Sequence, residues 1–161
     1  DMEGMGESIS NGLEVIQENG KTRIKVNAKN SEVSYVIDGI EYAADSLKNG
    51  IPDEIATVNM ITSPTNAKKS YVVINTKQKK GQFISYANGV LKYKYNKQEY
   101  TLNPEKLEEP ALIINNRLTR SFNIDPVQII QIRPVSELER QLLGAPSAQV
   151  IIVTDKMGFF F

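Results

Sequence analysis

The chain contains no cysteine, no histidine and no tryptophan in 161 residues. Without cysteine there are no disulfides, thiolate metal sites or thiol nucleophiles. Without histidine the commonest general base and the commonest zinc ligand are missing, and every Ser-His-Asp hydrolase mechanism goes with them. Long apolar runs are absent too, the stretch Val150 to Val153 being far short of a membrane span. No basic-then-apolar leader opens the chain, so a signal peptide is expected to be absent from it. What remains is a globular composition, 40% hydrophobic and 24% charged, in a length that suits one ordinary domain or two very small ones.

The formal net charge of zero hides a segregation. Residues 55–98 contain no Asp or Glu but carry Lys68, Lys69, Lys77, Lys79, Lys80, Lys92, Lys94 and Lys97. A strip of one sign attracts polyanions over a Debye length. It equally suits the solvated face of strands, where lysine guards exposed edges against aggregation.

Four Asn-Gly pairs punctuate the sequence, at Asn11-Gly12, Asn19-Gly20, Asn49-Gly50 and Asn88-Gly89. Both residue types tolerate positive φ, which type I′ hairpin turns require at their two central positions. Asn19-Gly20 lies between two apolar runs, the second cleanly alternating, and predicts a hairpin. Asn88-Gly89 predicts another, joining the strand around Phe83 to Tyr86 with the strand Val90 to Tyr95, and a short strand from Glu99 to Leu102 follows it. Helical signals are few. Asn103-Pro104 reads as a cap and first turn, opening a short helix through Glu109 that Pro110 ends. Ser136-Glu137-Leu138-Glu139 is a capping box, with Gly144 just past the helix end. Asp45 predicts a helical turn that stops at Asn49-Gly50.

Laid on itself, the chain repeats an order of features. Val36-Ile37-Asp38-Gly39 matches Ile113-Ile114-Asn115-Asn116, an apolar strand ending in a two-residue turn. Pro52 through Val58 then matches Pro126 through Ile132, with apolar residues at Ile55 and Val58 and at Ile129 and Ile132. Each unit closes on a β-branched strand, Tyr71 to Lys77 or Val150 to Lys156. The capping-box helix belongs to the second unit alone; the first has the loop Ser63-Pro64-Thr65-Asn66 in its place. The reading is a strand-rich α+β protein of two related small β-α-β-like units with added hairpins. It divides into an N-terminal hairpin region at 1–32, a degenerate first unit at 33–80, a connecting hairpin and short helix at 81–109, and a second unit at 110–161.

Pro110 to Asn116, Asp125-Pro126 to Ile132, Ser136 to Gly144 and Val150 to Lys156 together resemble the plug domain of TonB-dependent outer-membrane receptors, in the form common in Bacteroidetes. That family shows a Pro-apolar-apolar strand ending in Asp/Asn-Gly, an Asn/Asp-Pro-x-x-Ile-x-x-Ile segment, a short helix ending near Gly, and a Val-Ile-Ile-x-Thr-x-Lys strand. Asn116 stands where the family has its turn glycine, and residues 144–148 lack the family's Gly-rich loop. No barrel sequence follows Phe161 and no TonB box precedes the plug-like part, so the resemblance implies a detached module rather than a transporter. It implies an extracytoplasmic interaction role, in the periplasm or at the outer membrane, with another envelope protein as partner.

The residues offer little catalytic chemistry. Asp53-Glu54 and Glu108-Glu109 are adjacent pairs, whose side chains splay apart on a helix. No Ser-x-x-Lys, phosphate loop or dinucleotide fingerprint occurs, and no Asp/Asn-rich calcium loop. No catalytic residue, metal site or cofactor is expected. The binding candidates are Lys92, Tyr93, Lys94 and Tyr95, with the cluster Lys77, Lys79 and Lys80. Aromatic rings interleaved with lysine can stack on sugars or bases while the cations hold an anion. The opposing reading puts Tyr93 and Tyr95 in the core and the lysines in water, since side chains alternate along a strand. The alternative function is therefore binding of an anionic glycan or other polyanion; nucleic acid is not expected, in the absence of any recognition fingerprint or arginine cluster. The terminal Gly158-Phe159-Phe160-Phe161 predicts a last strand or a segment that inserts into a partner.

Overall fold

Two-residue hairpin turns organise most of the chain. In the computed structural model the described residues are 9–10, 13–18, 20–26, 32–47, 50–78 and 83–155. Asn11-Gly12, Lys79, Lys80 and the aromatic C-terminus lie outside them. By contacts the chain divides into two compact units, Asp1–Lys77 and Gln78–Phe161. The fold is strand-rich, with small sheets and one short α-helix among the described residues. None of their helices is long and apolar enough to cross a membrane.

In the first unit β1 (Ile9–Ser10), β2 (Leu13–Glu18) and β3 (Lys21–Val26) form an antiparallel sheet. Glu18 stands opposite Lys21 across the turn that Asn19-Gly20 predicts, and Gly20 has a φ of 73°. A four-stranded sheet follows, built from β4 (Glu32–Ile37), β5 (Ile40–Ala43), β6 (Ile55–Thr62) and β7 (Lys69–Thr76) in the order β5-β4-β7-β6. Tyr35, Ile51, Val72 and Ile74 form its core, with Ile37, Ile55, Val58 and Met60 packed against them.

The second unit begins with a meander of β8 (Ile84–Ala87), β9 (Val90–Tyr95) and β10 (Gln98–Leu102). Asn88 and Gly89 take φ of 54° and 78°, the I′ geometry the sequence predicts, and Asn96 and Lys97 make a second such turn at 50° and 68°. Its four-stranded sheet comprises β11 (Leu112–Ile114), β12 (Arg117–Thr119), β13 (Ile129–Pro134) and β14 (Val150–Thr154), in the order β12-β11-β14-β13. Leu91 and Tyr93 of the meander pack with Leu112, Ile132, Val150 and Ile152 on one face of this sheet. Helix α1 (Glu137–Leu143) connects β13 to β14. Ser136 and Glu139 make the expected capping box, and Gly144 ends the helix at a φ of 63°.

The two four-stranded sheets are wired alike. In each, the first strand pairs antiparallel with its hairpin partner and parallel with the last strand, and the third strand pairs antiparallel with the last. Each third strand carries a bulge at the same place, between Ile55 and Thr57 and between Ile129 and Gln131. An extra residue at a bulge restores the facing of the side chains around it. That is why Ile55 and Val58, three apart, both reach their core.

One expected element is shorter than its sequence suggests. The helix opened by Pro104 ends at Lys106, and Leu107 is extended at φ −84° and ψ 153°. The Arg120 guanidinium donates to the Leu107 carbonyl at 2.6 Å and also to the Glu108 carbonyl. These side-chain bonds hold residues 107–109 as a strap along the surface.

Candidate functional site

Three kinds of surface emerge, and the sequence candidates distribute among them. The first is the outer face of the meander. Lys92 and Lys94 are exposed, whereas Tyr93 is 2% exposed and Tyr95 half-buried against the core. Lysine and tyrosine of β9 therefore occupy opposite faces of one strand. Burial in the apolar core pushes the Tyr93 hydroxyl well above the usual tyrosine range; neighbouring Tyr100 adds to the shift and Arg133 opposes it. The ring that does accompany the lysines is Phe83, 54% exposed. The Lys94 amide donates to its carbonyl at 3.1 Å, continuing the β8–β9 ladder so that Phe83 faces Lys94 directly. Directly opposed residues stand about 5 Å apart on one face of a sheet. Lys77 lies elsewhere, its ammonium 3.4 Å from Glu54.

The second kind is a set of open strand edges. β5 and β12 are the corresponding edge strands of the two four-stranded sheets. The residues flanking a two-residue turn exchange both hydrogen bonds, so the next residue along turns its backbone N–H and C=O outward. From the registers these are Glu41 on β5 and Leu118 on β12. Both strands expose apolar side chains there, Ile40 at 59%, Tyr42 at 37% and Leu118 at 41%. Beside β5, Lys69 lies 3.4 Å from Glu41 and 4.9 Å from the centroid of the Tyr71 ring. A hydrogen bond with Tyr71 above all, and the charge of Glu41, raise its ammonium above the usual lysine range against the opposing cost of burial.

The third is a cavity of about 750 Å³ in the second unit. Its floor includes Tyr93 and Val150, and Tyr100, Leu102 and Leu107 form an apolar wall. Tyr100 stacks on Tyr93 with ring centroids 5.0 Å apart. Glu108 and Glu109 of the strap and Glu137 of α1 stand at the rim. Arg140 also lines it, but its guanidinium is engaged, donating to the Ala148 carbonyl at 2.8 Å and to Glu137 at 3.1 Å. Behind the helix Arg133 and Glu139, both fully buried, pair through two hydrogen bonds of 2.8 and 2.6 Å. Glu139 also accepts from the Ser136 backbone at 3.0 Å, so this pair fixes the helix over the sheet. Sequence reasoning did not find the cavity, because its walls come from two stretches distant in the chain, 93–109 and 134–150. Among the described residues no group of acidic side chains is arranged to hold a metal ion.

Comparison with protein-family models, with curated proteins and with solved structures finds no match to this chain.

Proposed function

We propose that this chain is a non-enzymatic interaction module that works outside the cytoplasm and binds another envelope protein by strand addition. Its two four-stranded sheets are two copies of one plug-like unit, the second enlarged by helix α1. The observation that carries the reading is the pair of corresponding edges, β5 and β12, each presenting outward backbone groups beside exposed apolar side chains. An open edge of this kind is normally blunted by charge, proline or a covering element. Here β5 and β12 each carry one charge, Glu41 or Arg117, but no proline, and keep apolar side chains exposed; such an edge takes a partner strand, with main-chain bonds giving affinity and side-chain contacts specificity. The resemblance to receptor plugs supplies the extracytoplasmic setting and the class of partner.

The test is capture from the host's envelope extract by the tagged chain, at low and high salt, alongside the variant Ile40→Lys with Tyr42→Lys. A discrete protein retained at high salt and lost with the variant is the expected result. No capture, or capture indifferent to both edge substitutions and Leu118→Lys, overturns the reading.

A second reading, binding of an anionic glycan, draws on the alignment of Phe83 with Lys92 and Lys94 on the meander's outer face. An aromatic ring can lie on a sugar face while two ammonium groups hold its carboxylates. Retention on an acidic polysaccharide that fades with salt and with Lys92→Gln and Lys94→Gln would favour this reading over the first.

A further inference from the structure

We infer that the cavity of the second unit is the specificity site of this module, and that its ligand is an extended basic segment of the partner: a strand that adds to β10 and places a lysine or arginine side chain in the cavity. The inference rests on the interaction-module reading and adds the chemistry of the segment bound.

Three observations converge on it. β10 is an edge strand of the meander, in the order β10-β9-β8, and Tyr100, Thr101 and Leu102 of that edge line the cavity. Tyr95 faces Gln98 across a two-residue turn, and Thr101 lies opposite Lys92. Counting alternately from that turn, Thr101 is in a non-bonded pair, so its N–H and C=O point away from β9, toward the side where a new strand would pair. The ligand is therefore an extended backbone rather than a compact small molecule.

Its charge follows from the rim. Glu108, Glu109 and Glu137 stand at the cavity with Arg140, the one guanidinium in its lining, already bound to Glu137 and to a backbone carbonyl. The carboxylates of Glu108 and Glu109 remain, on a strap whose backbone the Arg120 guanidinium holds, and with that cation counted the rim stays net negative. The wall beneath is apolar, with the Tyr100 ring stacked on buried Tyr93. A lysine or arginine side chain matches this gradient: its methylene stem covers Leu102 and Leu107, its cation meets the aromatic face and the rim carboxylates. An acidic segment is repelled by those exposed carboxylates, and a purely apolar one gains nothing from them. Helix α1, which supplies one wall of the cavity, has no counterpart in the first four-stranded sheet, whose β6 and β7 are joined by a short loop closed by the bond from Ser63 to Lys69.

The experiment is a fluorescence-anisotropy titration of the intact chain with three labelled peptides. One alternates lysine with valine, one alternates glutamate with valine, and one is the lysine peptide N-methylated at alternate amides. Only the first is expected to bind, with protection of the Thr101 amide from hydrogen exchange. The triple variant Glu108→Gln, Glu109→Gln and Glu137→Gln removes three exposed charges and should weaken that binding about tenfold. Asp45→Asn with Asp53→Asn, in the other unit, should leave it unchanged. Equal binding of the glutamate or N-methylated peptide, an unaltered affinity in the triple variant, or no binding of the lysine peptide overturns the inference. If the peptide fails while envelope capture still depends on Ile40 and Tyr42, the cavity assignment alone is wrong. If both fail, the module reading falls with it.

Discussion

At the scale of single residues the two most constrained groups are Glu139 and Tyr93. Arg133 and Glu139 are each about 1% exposed and bonded in a bidentate pair. Two charges taken out of water are balanced only while both are present. Glu139→Gln keeps the volume and one acceptor but sets an amide donor against a guanidinium donor. It should destabilise the chain by about 3–5 kcal/mol in urea unfolding, whereas replacing both partners by apolar residues, Arg133→Met with Glu139→Leu, should cost much less. The exposed Lys77–Glu54 pair is the contrast, and Lys77→Gln should shift the midpoint by no more than about 1 kcal/mol. Tyr93 contributes to alkaline behaviour. Its folded hydroxyl titrates above the unfolded value of about 10, because burial penalises the phenolate. The folded chain thus keeps a proton that the unfolded chain releases, and stability falls as pH rises through the unfolded value toward the folded one. Below that value the contribution is complete. Tyr93→Phe, which keeps the stack on Tyr100, should flatten the loss of stability above about pH 10, while the part due to Tyr35, also raised by burial, persists.

Elements show which parts of the fold were legible in the sequence. Helix α1 was, because its signals are local: the Ser136–Glu139 box and Gly144 sit within one short segment. Gly144 adopts positive φ with open space around the position of a Cβ, so Gly144→Ala meets no clash and should cost only the conformational term, about 1 kcal/mol in thermal or urea unfolding. Where tertiary bonds compete, local signals fail. Pro104 starts a turn as read, but Arg120, sixteen positions on, takes the Leu107 carbonyl and stops it. The turn at Asn96-Lys97 escaped notice because lysine is no turn signal, although both residues have positive φ. The three-residue spacing of Ile55 and Val58 has a helical look and belongs to a bulged strand. The lysine and tyrosine alternation of β9 was legible as two faces. That Phe83 shares the lysine face depends on a register which only pairing reveals, and the cavity depends on residues 93–109 packing beside residues 134–150.

At the scale of the whole molecule, the proposal of two copies can be tested through the clamp that closes each one. In the first sheet Asp38, opening the turn after β4, accepts from the Thr76 backbone at 2.9 Å and from its hydroxyl at 2.6 Å. In the second, Asn115 opens the turn after β11, accepts from the Thr154 backbone at 3.0 Å and donates to its hydroxyl at 3.0 Å. Backbone bonds repeat around both clamps: Asp38 to Ile74 and Asn115 to Ile152, then Lys77 to Glu54 and Asp155 to Gln128. Two things change, the charge of the turn residue (carboxylate against amide) and the direction of the hydroxyl bond, and a hydroxyl rotates freely between donor and acceptor. If the clamps are one device used twice, each should accept the other's residue. Asp38→Asn and Asn115→Asp, singly or together, should then alter unfolding free energy by less than about 1 kcal/mol. Asp38→Ala and Asn115→Ala should each cost more, roughly 1–3 kcal/mol, because the threonine amide loses its acceptor. A strongly destabilising exchange in either direction would show that the surroundings of the two turns have diverged beyond the backbone they share. The copies would then be alike in wiring alone.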